Sequence, residues 1–446
     1  MQPLAHTLNA LRNGEITSQS LVHTCVAAIA APGGEGARAF TRISDTALQQ
    51  AAAADALLRE GGGKDLPLLG LPISVKDLFD VAGEVTTAGS VVLANAAPAA
   101  KDSTVVTRLR AAGAVIIGRT NMTEFAYSGL GLNPHYGTPA NPWDRVNRRI
   151  PGGSSSGAAV SVTDGMAAAA IGTDTGGSVR IPAALCGLVG FKPTAKRIPM
   201  DGIVPLARSL DSVGPLAPTV ACCVRLDAVL SGNFYRLLEP KSLTRMRFGI
   251  LQGYVLESLD EPTAFAFQEA LLAIQAAGAH TEPVHLDALN RIPASNQTAA
   301  AEAFAWHRNL LELSGHHYDP HVSARILHGA GMLAADFLDL MQARREIIAE
   351  AEKTFEPYDA ILLPTTPCIA PRIADLEASD DAYFHANGAM LRNTSIFNFL
   401  DGCGLSLPIH RHGTAPVGLM IAGSGGLDRQ ILEAGAAIEA VLQRHR

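Results

Sequence analysis

The chain has 446 residues, 48% of them hydrophobic and 17% charged, enough apolar sequence for a large buried core and too much for general disorder. A formal net charge of -7, from 35 basic and 42 acidic side chains, offers no basic face for a phosphodiester backbone and argues against nucleic acid as a direct ligand. No uncharged run reaches bilayer-spanning length, and the first residues lack a basic stretch followed by an apolar one, so a cytoplasmic globule without membrane contact is expected.

In chain order, helical spacing appears at Leu8 and Leu11 and again at Leu21, Val22, Cys25, Val26 and Ile29, with Thr17 or Ser18 as N-cap and Pro32-Gly33-Gly34 as the stop. Residues 45–60 predict a second strong helix, ended by Gly61-Gly62-Gly63. "LLGLPISVKDLFD" reads as a short buried strand running into a loop and carries Lys76. "STVVTRLRAAG" (helix) and "AVIIG" (strand) then precede "RTNMTEFAYSG", and "RMRFGILQGY", "PTAFAFQEALLAIQAAG" and "HTEPVHL" repeat a strand–helix–strand theme. Such alternation is the mark of a mostly parallel, covered sheet. Residues 285–345 are mainly helical, either covering a cleft or packing on the core. "YDAILLPTTP" is a strand broken by Pro364 and Pro367, and "LSLPIHRHGTAPVGLMIAG" is two strands joined by a turn. No repeat or linker divides the chain, so one domain over 1–446 is expected.

Six scattered cysteines without C-x-x-C spacing read as buried small side chains, and fourteen histidines contain no H-E-x-x-H. His316 and His317 are adjacent and point apart on a helix. Neither a metal centre nor a cofactor is expected.

The stretch "PGGSSSGAAVSVTDGMAAAAIGTDTGGSVRIP", residues 151–182, holds two glycine turns that each end in serine. Glycine loops bring backbone N–H groups close to an anion, but the stretch has neither G-K-[ST] nor G-x-G-x-x-G, which argues against the nucleotide-binding reading. "GSSSG" fits a G-x-S-x-G elbow with Ser155 as nucleophile, yet the polar "NPWDRVNRRIP" precedes it where a buried strand belongs; only His280, His285 and His410 keep that reading open. A third reading joins both turns to Lys76, since burial at the end of an apolar strand favours the neutral amine that can take a proton from a serine hydroxyl. A lysine snorkelling to solvent is the ordinary alternative for that residue.

"GLPISVKDLFD", "GRTNMTEF", "PGGSSSGAAVSV", "GTDTGGSVRIPAALCGLVGFKPT", "LLPTTP" and "PVGLMIAG" resemble the amidase signature family in matching order across nearly the whole chain, with the densest matching over about 71–200. The resemblance implies an α/β fold with a large, mixed, mostly parallel sheet covered by helices on both faces. It implies a Ser-cisSer-Lys triad of Ser178 (nucleophile), Ser154 (proton relay, its peptide bond cis) and Lys76 (base). By the same carry-over, the N–H groups of Thr175, Gly176, Gly177 and Ser178 form an oxyanion hole, Asp174 and Arg180 brace the turn, and Ser155 and Ser156 are turn residues. Side chains at 176 and 177 are expected to obstruct the approaching carbonyl.

The implied reaction is hydrolysis of a small amide or urea-type C–N bond through an acyl-enzyme, without metal or cofactor. The chain looks closer to stand-alone bacterial catabolic amidases, including carboxybiuret- or aminomuconate-type enzymes with anionic substrates. The alternative is the glutamine-hydrolysing component of a tRNA-dependent amidotransferase, from which "LRNTSIFNFLDGCGLSLPI" departs. For a carboxylate-bearing substrate, Arg392 is the expected clamp and Tyr127 a wall of the acyl pocket. A homodimer is permitted.

Overall fold

The computed structural model describes residues 2–443 apart from 234, 237, 239 and 240. Eleven strands form one sheet: β1 (Phe40–Ile43), β2 (Pro72–Lys76), β3 (Val115–Thr120), β4 (Ala169–Asp174), β5 (Val189–Lys192), β6 (Ser212–Ala217), β7 (Arg247–Leu251), β8 (His280–Val284), β9 (Ala360–Pro364), β10 (Cys403–Pro408) and β11 (Gly418–Gly423). Their spatial order is β1-β3-β2-β4-β6-β5-β10-β11-β9-β7-β8.

The mixed sheet follows the expectation, and its parallel order is concentrated in two blocks. One is β3-β2-β4, where the helix Thr104–Ala111 crosses between β2 and β3. The other is β9-β7-β8, where the helix Glu261–Ala276 crosses between β7 and β8. The strands joining the blocks pair antiparallel, and between β10 and β11 the connection is too short for a crossover. β2 to β6 and β9 to β11 are buried along their whole length, whereas the edge strand β8 is largely open to solvent. No described helix is long and apolar enough to cross a membrane.

Local chemistry settles several boundaries. Thr17 caps the helix Ser18–Ile29, accepting from Ser20 N at 3.0 Å while Ser20 Oγ accepts from Thr17 N at 3.1 Å. Ser18, the other candidate, faces inward: its N–H donates to Asp55 Oδ1 at 2.6 Å and its hydroxyl to Gly70 O at 2.8 Å. The helix expected at 45–60 runs Ala47–Arg59 and is followed by Gly61 at φ +72°. Cys25, Cys186, Cys222, Cys223 and Cys403 are buried thiols, and Cys368 is partly buried.

The region 285–345 contributes both to a cavity wall and to the packed interior. Its helices Ser295–Ser314 and Pro320–Leu327 contribute Ala299 and Arg325 to the lining of a cavity. Trp306, His307 and Tyr318 pack around Phe125 in an aromatic cluster.

Candidate active site

Side chains alternate along β2. Ile73 and Val75 enter the main core, and Ser74 and Lys76 face the opposite side, where Ser74 Oγ lies 2.9 Å from Ser161 Oγ on the helix Ser156–Thr163. Lys76 is 0% exposed. Its Nζ donates to Ser154 Oγ at 2.7 Å and to Thr173 Oγ1, at the end of neighbouring β4, at 2.9 Å. Burial drives its pKa from 10.5 down to about 7, against the charges of Asp174 and Asp211, which favour the ammonium. The hydrogen bonds of the amine go to these two hydroxyls and to neither carboxylate.

Ser154 begins the turn into the helix Ser156–Thr163, and the Gly153–Ser154 peptide bond is cis. Gly152 is required by its φ of +80°, and Gly153 by the close passage of Gly131, whose backbone a Cβ there would hit. Ser155 N donates to Ser178 O at 3.3 Å, which sets the two glycine turns side by side. Ser155 itself is fully buried, precedes a helix without following a strand, and has its hydroxyl directed to Thr173 O at 3.4 Å. The elbow reading therefore fails; His280, His285 and His410 are also absent from the lining of the cavity at Ser178.

That cavity is narrow and opens to solvent. Ser178, Thr175 and Gly176 form one wall, Ala126, Tyr127 and Ser128 another, and Leu391, Ser395 and Asn398 of the helix Asp380–Phe399 a third. The N–H groups of Gly176, Gly177 and Ser178 meet no acceptor among the described residues. Gly177 has φ +137°, and a Cβ there would collide with Thr394 Oγ1. The reason for glycine at 177 is thus the helix packed behind the turn, and the expected obstruction of an entering carbonyl does not apply at that position. Thr394 Oγ1 in turn donates to Gly176 O at 2.6 Å.

Asp174 and Arg180 form a wholly buried pair, with Nη2–Oδ1 at 2.8 Å and Nε–Oδ2 at 3.0 Å. Asp174 Oδ2 also accepts from the N–H groups of Val179 and Arg180, at 3.1 and 3.3 Å. Asn398 closes the network, donating to Asp174 Oδ1 at 2.9 Å and accepting from Arg180 Nη2 at 2.6 Å. Burial by itself would raise the Asp174 pKa, but the Arg180 charge and hydrogen bonds, with Lys192 and Asn398, hold it at about 2. A permanent carboxylate therefore ties both ends of the turn 174–180 together.

Tyr127 is buried in the cavity wall, with burial raising its phenol pKa. Arg392 is not in that wall. Its guanidinium reaches Asn393 Oδ1 at 3.1 Å and Val255 O at 3.4 Å, because one residue along a helix turns the side chain about 100° from the cavity-facing Leu391. The cation that does line the cavity is Arg325, stacked 4.2 Å over the Tyr127 ring and donating to Tyr127 O at 2.5 Å. Sequence reasoning missed Arg325, Thr173, Asp211 and Asn398. Thr173 was within reach, since it lies in "GTDTGGS" one residue before Asp174; nothing in the linear order marks the others. No group of three or more His, Cys, Asp or Glu side chains suited to a metal ion occurs among the described residues.

The family model for amidases matches residues 20–432. The 2-amino-5-chloromuconic acid deaminase of Comamonas testosteroni is 35% identical over 98% of this chain and 96% of its own length. A glutamyl-tRNA(Gln) amidotransferase subunit from Roseiflexus sp. (strain RS-1) is 33% identical over 99% and 96%. A crystal structure of an amidase superposes with a TM-score of 0.88 at 32% identity, covering 98% of this chain and 99% of that one.

Proposed function

Because the chain belongs to the amidase family and is a C–N hydrolase, we propose that it cleaves a small linear amide bearing a carboxylate, through an acyl-enzyme on Ser178. The observation that carries this reading is the fully buried Lys76 amine, 2.7 Å from Ser154 Oγ with a pKa of about 7.

The reactive form carries Lys76 as the neutral amine. Ser178 Oγ attacks the amide carbon as its proton passes to Ser154 Oγ and the Ser154 proton passes to Lys76 Nζ, which becomes an ammonium. Thr173 Oγ1 keeps Nζ on line, and the buried carboxylates of Asp174 and Asp211 favour the charge that develops there. The tetrahedral oxyanion takes hydrogen bonds from the otherwise unengaged N–H groups of Gly176, Gly177 and Ser178, with Thr175 holding the start of that turn. The ammonium returns its proton through Ser154 to the leaving nitrogen, and ammonia or an amine departs. Water then attacks the Ser178 ester by the same path and restores all three groups.

Charge supports a small anionic substrate. Arg325 is the one charged side chain among the described residues lining the cavity. Arg325 replaces Arg392 as the clamp in this reading, with Tyr127 as the wall against which the guanidinium is stacked. The deaminase of Comamonas testosteroni, whose named substrate is an acid, agrees with it. The second reading, the glutamine-hydrolysing component of a tRNA-dependent amidotransferase, is favoured by the similarity to such proteins over almost the whole chain, and glutamine also carries a carboxylate. Incubating the purified chain alone with glutamine and a panel of short carboxylate-bearing amides separates the two. Turnover of the panel without a partner protein supports the stand-alone hydrolase, and turnover of none of them overturns it.

A further inference from the structure

A carboxylate whose hydrogen bonds the reaction above does not use connects the two halves of its machinery. Asp211 immediately precedes β6, and β6 pairs with β4 so that Ser212 faces Asp174; Asp211 therefore sits opposite Thr175, the first residue of the glycine turn. Asp211 is only 6% exposed. Its Oδ1 accepts from Thr175 Oγ1 at 2.5 Å, and its Oδ2 from Leu206 N at 3.0 Å. Ala207 N adds a bond at 3.2 Å to each oxygen. One carboxylate thus fastens the turn to residues 206–210, whose Leu206 and Leu210 line the cavity beside Ser178.

The side chain also borders a second cleft, of about 690 Å³, shared with Lys196, Ile203 and Arg208. It therefore lies between the reaction cavity and a separate opening. Burial raises its pKa to about 6, opposed by the Thr175, Ala207 and Leu206 bonds and assisted by nearby Glu302, which Ser209 N holds at 3.0 Å. The amine it acts upon, Lys76, is faced by Asp174 and Asp211; Asp174 is already neutralised by Arg180 and influenced by Lys192. Asp211 makes no ion pair among the described residues, and its charge acts on Lys76 after that of Asp174.

We propose that Asp211 is a positioning residue that anchors the oxyanion-binding turn through Thr175 and whose charge restrains the deprotonation of Lys76. The inference rests on Lys76 being the base. Its two effects oppose each other in rate at neutral pH: the bond to Thr175 orders the donors, and the negative charge reduces the neutral-amine fraction of Lys76. The residue accordingly shifts the working range of the enzyme toward higher pH in exchange for a fixed turn.

Profiles of kcat/KM against pH for the full-length wild type, Asp211→Asn, Thr175→Val and Lys76→Ala test this on any amide the wild type hydrolyses. Asp211→Asn should move the midpoint of the acidic limb down by at least about 0.5 pH unit, since a negative charge near the amine has been removed. Thr175→Val, which removes the bond but keeps the carboxyl group, should lower kcat about tenfold with KM within twofold and, because that bond also helps hold Asp211 ionised, move the midpoint down by less than Asp211→Asn does. A purely structural role for Asp211 would lower activity in Asp211→Asn without moving the limb, and that result overturns the proposal. If Asp211→Asn does not fold, an unchanged kcat in Thr175→Val overturns it instead. Activity retained in Lys76→Ala would refute the assignment of the base, a different failure from an unmoved limb in Asp211→Asn alongside an inactive Lys76→Ala.

Discussion

Thr173 Oγ1 lies 2.9 Å from Lys76 Nζ, so the amine at the end of β2 is fixed by a hydroxyl of the adjacent parallel strand as well as by Ser154. Two hydroxyls at short range hold a flexible four-carbon stem in one orientation inside a buried site. Removing one of them should loosen the base without touching the substrate. Thr173→Val is expected to reduce kcat about tenfold, the order of one buried hydrogen bond, with KM nearly unchanged. Steady-state kinetics on a short amide will check the split.

The pH dependence follows from Lys76. With a folded-state pKa of about 7, the neutral amine is the minor form at about pH 6 and the major form at about pH 8. kcat/KM should therefore rise through about pH 7 and level off above it, and a profile flat from about pH 5.5 to about 8.5 would count against Lys76 as base.

The same shift has a consequence for stability. The folded value of about 7 lies below the ordinary 10.5, so between these values the unfolded chain binds more protons than the folded one. Stability contributed by this group thus increases as pH rises from about 7 to about 10.5, and the full penalty of a buried ammonium applies below about 7. Lys76→Met should be inactive yet melt roughly 2 °C higher at about pH 7, with the advantage shrinking at about pH 9. Thermal melts at the two pH values provide the comparison.

Gly177→Ala places a Cβ against Thr394 Oγ1 and forces alanine to φ +137°. The turn and the helix Asp380–Phe399 cannot both keep their places. We expect a loss of at least about 100-fold in kcat, comparable to losing an oxyanion donor. Thr394→Ala added to it should restore only part of the rate, because the backbone conformation remains unsuited to alanine.

Arg325 and Arg392 make opposite predictions for a carboxylate-bearing amide. Arg325→Ala should raise KM about tenfold or more for that substrate and leave a neutral amide nearly unaffected, while Arg392→Ala should alter neither. The reverse pattern would return the clamp to Arg392.

Arg180→Met leaves the Asp174 carboxylate buried without its cation. The expected loss is about 3–5 kcal/mol of stability, read from urea denaturation, with activity falling along with the fraction folded. Loss of activity at undiminished stability would mean that Arg180 acts in the reaction and does more than brace the turn.

The linear sequence by itself determined the covered α/β sheet and the two glycine–serine turns, because hydrophobic period and glycine placement are properties of neighbours along the chain; through the family resemblance of its motifs it implied the candidate roles of Lys76, Ser154 and Ser178. It also contained the Thr17 cap and the helix boundary at Gly61. Tertiary structure alone decided which side chains converge. Thr173 meets Lys76 through a parallel strand pair, Asp211 meets Thr175 across an antiparallel one, and Asn398 reaches Asp174 from a helix more than two hundred residues away. The exchange of Arg392 for Arg325 has the same origin: one step of helical rotation and the seating of a remote helix determine which guanidinium faces the cavity, and neither is written in local spacing.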